Sequence, residues 1–146
     1  DKTHRAIGLS HSGWRGTVKR MGQKTIDAMA KAYGTRPEDL KVIIGPSICQ
    51  SCYEVSEEVA DAFAAEFGSN RKDQLLMDKG NGKYQLDLWR ANELVFADAG
   101  LEPDQIETAG LCTCCHPDLL FSHRASHGKR GNMAAVLTLG GKKHEF

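Results

Sequence analysis

Apolar positions recur along this chain at two different periods, and the switch between them predicts its elements. Val18, Met21, Thr25, Ile26, Met29 and Tyr33 fall three and four residues apart, the spacing of a helix with one apolar face. Gly34 follows as a left-handed cap and Pro37 lies just beyond. Val59, Phe63 and Phe67 form a second stripe behind Ser56, with Glu57 and Glu58 at the positive helix end and Gly68 at the other. A third stripe runs from Leu88 to Ala99, opened by Asp87 and closed by Gly100. Helices are therefore predicted near residues 17–33, 56–67 and 88–99.

Short apolar runs between these stripes predict strands. Residues 4–9 read as a buried strand, and Leu40–Ile44 as one buried on both faces and stopped by Gly45-Pro46. Leu75–Asp78 and Tyr84–Leu88 read as a hairpin turning through Gly80-Asn81-Gly82. Ile106–Leu111, Phe121–Arg124 and Ala134–Leu139 read as the last strands, and Thr35 and Glu38 have capping-box spacing. No repeat, linker or low-complexity segment interrupts this order. The fold class expected is α/β (α+β), one unit of mixed sheet covered by helices, with an open sheet edge that invites self-association.

Composition narrows the function classes. The 146 residues are enough for one domain with a core, and 19 Lys and Arg balance 19 Asp and Glu. Nothing here advertises a nucleic-acid or acidic-lipid partner. The apolar runs are too short to span a bilayer, so no membrane association is expected. All five cysteines sit as Cys49-x-x-Cys52 and Cys112-x-Cys114-Cys115, with His116 next. Such adjacency suits intracellular thiols or metal ligands better than a secreted disulfide framework, and a cytoplasmic location is expected.

Two groups carry candidate chemistry. The cysteines have the spacing to supply four soft ligands to a structural zinc. Both segments adjoin apolar runs, however, and free Cys is among the most commonly buried residues, so buried or loop thiols are the favoured reading. The second group is Ser10-His11-Ser12-Gly13-Trp14-Arg15-Gly16, at the end of the first apolar run. A Gly-flanked turn opening a helix presents backbone amides to anions. Trp14 can stack on a planar ligand and Arg15 can grip an anion bidentately. Ser122-His123-Arg124 is a second basic turn, and together the two suggest a phosphate or carboxylate subsite. Glu54, just after Cys52, and Asp118, just before Ser122, are candidate carboxylates.

Several motifs then agree in order: His11–Gly16, Ile44-Gly-Pro-Ser-Ile48, Cys52-Tyr-Glu-Val55, Leu86-Asp-Leu-Trp-Arg-Ala-Asn92, Cys112–Cys115 and Phe121-Ser-His-Arg124. Together they resemble the YfiH/YlmD family, described both as multicopper polyphenol oxidases (laccases) and as purine nucleoside phosphorylases with adenosine deaminase side activity. The resemblance implies a YfiH-like layered α/β/β/α fold. Residues 1–146 would then be the C-terminal portion of one such domain, incomplete on its N-terminal side by about a hundred residues. It implies a catalytic Zn2+ with His/Cys/His ligands, of which only His11 lies here. His11, Arg15 and Arg124 become the expected catalytic residues, and Trp14, Arg15, Ser122 and Arg124 the substrate- and phosphate-binding ones. A purine nucleoside and phosphate become the expected partners, with pairing to the absent half or self-association.

By that resemblance the local cysteines are not needed for metal, and Cys112, Cys114 and Cys115 are expected to form no Cys-only cage. One departure is local: Arg130-Gly-Asn-Met133 stands where the family often has Thr-Gly-Arg-Met, which puts a phosphate role for that Arg in doubt. Rival readings are a Cu2+-dependent polyphenol oxidase, a cytoplasmic amidase editing peptidoglycan precursors, and an inactive domain or fragment. A redox copper centre usually wants several histidines, and the six here are scattered.

Overall fold

The computed structural model describes residues 1–129 and 131–140. Among the described residues five α-helices form: α1 Trp14–Val18, α2 Met21–Tyr33, α3 Glu57–Phe67, α4 Ser69–Leu75 and α5 Leu88–Asp98. Five strands accompany them: β1 Val42–Ile44, β2 Glu54–Ser56, β3 Leu76–Gly80, β4 Lys83–Leu86 and β5 Ile106–Thr108. They make two small sheets rather than one: β1 pairs parallel with β5, while β2, β4 and β3 pair antiparallel in that order.

The three long stripes are helices as their spacing demands. The main core is built from Phe63 and Phe67 of α3, Leu88, Ala91, Leu94 and Val95 of α5, and Val55, Leu76 and Leu86 of the antiparallel sheet. A second cluster joins Ile26 and Met29 of α2 to Leu40, Leu101 and Ala6. Gly22 lets α2 approach α5 closely, because a Cβ there would stand 2.7 Å from the Phe96 ring. The first predicted helix is broken at Arg20, whose φ of 54° is left-handed. That residue's guanidinium bonds Glu66 of α3 and Asp98 of α5, and Arg71 of α4 also bonds Asp98. The break therefore aims one cation at two neighbouring helices.

Asp87 caps α5 as expected, its carboxylate accepting from the Arg90 N–H at 2.9 Å. Ser56 stands at the α3 N-terminus without a side-chain cap bond. Thr35 makes no box with Glu38; it donates to Asp1 at 2.5 Å. The capping box instead joins Glu102 and Gln105. The polar segment Ser69–Leu75 is helical although no apolar stripe marks it.

Several expected strands are corrected. Residues 4–9 form no strand, because Ala6 bonds locally, its N–H to the Asp1 carbonyl and its carbonyl to the Asp1 ammonium. Phe121–Arg124 is no strand either. Ser122 and His123 carbonyls accept from Ser126 and Gly128, which closes a turn. Ala134–Leu139 pairs with no strand among the described residues, and Val136 is 86% exposed. Leu40–Ile44 is not buried on both faces: only Val42–Ile44 is strand, and Ile43 is 71% exposed.

This open apolar strand is a template for association. Ile43→Lys is expected to lower self-association measured by light scattering while leaving the melting temperature nearly unchanged, since Ile43 touches little of either core.

Candidate functional site

The His11 turn is fixed by a buried hydrogen-bond network that the sequence pattern did not reveal. Asn92 on α5 donates to the Leu88 carbonyl at 2.8 Å and to the Thr17 hydroxyl at 3.1 Å. Ser12 donates to the Asn92 carbonyl oxygen at 2.9 Å, and its hydroxyl lies 3.0 Å from that of Thr17. Thr17 is fully buried and also bonds the Gly13 carbonyl. Residues 12, 13 and 17 are thereby sewn to a helix 75 positions away. The sequence signal for this network was the Asn inside Leu86–Asn92, a polar residue on an otherwise apolar face.

This network leaves His11 and Arg15 exposed on the outer side of the turn. Gly13 makes room for the imidazole, because a Cβ there would lie 3.2 Å from His11 Nε2. Trp14 packs against the main core, and the Arg15 guanidinium covers its ring at 4.2 Å from the centroid. Arg124 donates to the carbonyls of Glu54 at 2.8 Å and Cys52 at 3.4 Å, and its guanidinium lies 5.7 Å from the Tyr53 ring centroid. Burial pushes the Tyr53 phenol up, while Arg124 and Arg15 both pull it down. Arg124 is thus the cation that stands against the Tyr53 ring. Ser122 is buried, and its hydroxyl accepts from the Ala125 N–H, so it holds the turn that carries Arg124. Glu54 enters through its backbone carbonyl, and Asp118 is exposed in the turn after the cysteines. Lys129 is exposed and Arg130 lies outside the described residues.

A catalytic zinc takes three protein ligands and keeps one position open. His11 offers one, and no group of three ligating side chains among the described residues includes it. The residues present do not complete that centre.

The cysteines do come together, against the expectation drawn from the resemblance. The parallel ladder of β1 and β5 continues past its strands: Ser47 bonds the Leu111 carbonyl and accepts from Thr113, pairing with Cys112. Cys49, Cys52, Cys112 and Cys115 then place their sulfurs within 4.8 Å of one another. Cys114 stays outside the set. The pattern is two Cys-x-x-Cys pairs, visible in the sequence once 112 is read with 115 rather than with 114.

The cluster divides its protons unevenly. Burial alone pushes the Cys112 thiol up, but the N–H groups of Cys49 and Cys115 and the Cys49 thiol outweigh it and bring Cys112 down to about 6. Its partners move the other way. The hydrogen bond to Cys115, then burial, raise Cys52. Cys52 pulls Cys115 down, but Cys112 and Cys49 overcome this and leave it raised. One thiolate is therefore held among neighbouring thiols.

A family model described as multi-copper polyphenol oxidoreductase laccase matches residues 1–140. The chain belongs to that family, the YfiH/YlmD family. It is 38% identical over 137 residues to purine nucleoside phosphorylase YlmD of Bacillus subtilis, covering 94% of this chain and 49% of that protein. Adenosine deaminase RL5, from an unknown prokaryotic organism, is 36% identical over 119 residues, 81% of this chain and 44% of its own length. The crystal structure of YfiH from Bacillus licheniformis superposes with a TM-score of 0.76 at 33% identity, over 82% of this chain and 45% of that one. The chain thus spans about half the length of the relatives it matches. Among the described residues no helix is long and apolar enough to cross a membrane.

Two outcomes are expected. Asn92→Ala removes the central donor and acceptor of the buried network and should cost about 1–3 kcal/mol in urea unfolding. In metal-free protein, thiolate absorbance near 240 nm should rise with a midpoint near pH 6, and Cys112→Ser should abolish that step. Because the folded value lies below the ordinary thiol value of 9.0, the stability this ionisation supplies is complete above that value and vanishes as pH falls through about 6.

Proposed function

We propose that the complete protein is a purine nucleoside phosphorylase with adenosine deaminase side activity, to which this chain contributes the anion grip and one metal ligand. The observation that carries the reading is that His11 and Arg15 stand exposed on one turn fixed to α5, while Arg124 is held by the Cys52 and Glu54 carbonyls against the Tyr53 ring. It stands in a chain similar to proteins named for phosphorolysis and deamination of purine nucleosides.

Phosphorolysis needs a phosphate held beside the ribose and a surface against which the base departs. Arg15 is exposed on its turn and free to donate in the forked geometry that matches phosphate oxygens. Arg124 already spends two donors on backbone carbonyls, which fix its plane and leave its remaining N–H groups directed elsewhere. One guanidinium is adaptable and the other is pre-set, so the anion would be captured by the first and oriented by the second. Trp14, packed on the core beneath Arg15, keeps that guanidinium over an apolar platform. We assign His11 as a ligand of the family's catalytic zinc, its two companions to be supplied from beyond the residues described. No catalytic step is assigned to that ion.

The test is base release from inosine and adenosine by the complete protein, with and without phosphate. An Arg–phosphate hydrogen bond is worth about 1.5–3 kcal/mol, so Arg15→Ala should slow phosphorolysis about tenfold or more and affect deamination less. A phenol with added copper is run in parallel. Phenol oxidation without base release would replace this reading by the polyphenol oxidase named in the family description.

A further inference from the structure

We propose that Cys49, Cys52, Cys112 and Cys115 form a closed tetrathiolate site for one structural zinc ion, which pins the loop after β1 to the loop after β5. His11 is not among its ligands, so the inference stands apart from the function proposed above. A tetrahedral zinc with Zn–S bonds of about 2.3 Å sets its sulfurs about 3.8 Å apart. Here Cys52 and Cys115 lie 3.5 Å apart, and Cys49 and Cys115 3.9 Å. A disulfide would need about 2.05 Å, and unrelated thiols have no reason to gather four at a time.

The backbone is arranged for the same end. Each pair is wrapped in a tight turn, Cys52 N–H to the Cys49 carbonyl at 3.2 Å and His116 N–H to the Cys112 carbonyl at 3.1 Å. The N–H groups of Cys49 and Cys115 point at Cys112 Sγ from 3.3 and 3.4 Å. Such bonds favour an anionic sulfur, the form that binds metal. Four thiolates around Zn2+ carry a net charge of −2. Arg124, bonded to the Cys52 carbonyl, is the adjacent cation.

Four sulfur ligands leave no open position for water, which makes the site structural rather than catalytic. Soft donors exclude magnesium and calcium, and a redox-inert ion suits a cluster whose Cys115 faces solvent. On binding, each sulfur that still carries a proton releases it to solvent as its Zn–S bond forms, and no electrons move. The consequence is local order: the clamp holds Cys52 and Tyr53, and with them the carbonyls that orient Arg124.

The experiment is elemental analysis of the protein purified without added metal, together with Co2+ loading. Zinc is expected at one equivalent in the cluster, retained in His11→Ala and lost in the Cys52→Ser/Cys115→Ser double variant. Co2+ in the wild-type protein should show intense sulfur-to-cobalt charge transfer and the visible bands of a tetrahedral thiolate site. The same spectrum retained in His11→Ala decides the matter even if the double variant fails to fold. Iron or copper in place of zinc, a Co2+ spectrum without sulfur charge transfer, or a Cys52–Cys115 disulfide found by mass spectrometry would each overturn the proposal.

Discussion

The parallel pairing of β1 with β5 is the constraint on which the cysteine cluster depends. Val42 opposite Ile106 and Ile44 opposite Thr108 set the register, and Ser47 carries it on to Cys112. A slip of one residue would turn each side chain to the opposite face and separate the Cys-x-x-Cys pairs. Trp89 of α5 supports the same junction, its indole N–H donating to the Ser47 hydroxyl at 2.5 Å. The two loops are thus presented side by side before any thiol contributes.

One turn further along α5, Asn92 does comparable work for the His11 turn. Asn92 is buried, and every polar atom it brings into the core has a partner in Thr17, Ser12 or the Leu88 carbonyl. An unpaired amide there would be costly, so the network tolerates few alternative placements of the turn. A helix that carries Trp89 toward one site and Asn92 toward the other makes their separation a property of one rigid element. That arrangement explains how a short turn such as α1, with no side-chain cap bond of its own, holds Arg15 and His11 in fixed directions.

What could be read from the sequence follows from where each element finds its stabilising partners. The stripes of α2, α3 and α5 and the β3–β4 hairpin carry their signals within a few residues, and they were legible with small boundary shifts. Residues 4–9, 121–124 and 134–139 have strand-like composition, but a strand is made by its neighbour, and no local pattern shows whether that neighbour is present. Helix α4 was invisible for the converse reason: Ser69–Gln74 is polar and only Leu75 is fully buried. Arg15 and Arg124 could be singled out as candidates for holding an anion because turns rich in donors are local features. The seat of Arg124 against Tyr53 and the Cys52 and Glu54 carbonyls could not be, because it depends on how remote turns pack.

The cysteines show how two sound arguments conflict. Their spacing could supply a metal although buried or loop thiols were the favoured reading, and the family resemblance pointed to a different metal held elsewhere. The conflict disappears once the two are seen to concern different places, since a three-ligand catalytic centre and a four-thiolate clamp obey different requirements. The first needs an open coordination position and a substrate beside it; the second needs closure and neighbouring donors that stabilise negative sulfur. His11, exposed beside Gly13, meets the access requirement of the first. Cys112, enclosed by the N–H groups of Cys49 and Cys115, meets the second. Arg124 is held beside the thiol cluster by the Cys52 and Glu54 carbonyls, and so the stability of that cluster bears directly on where the guanidinium points.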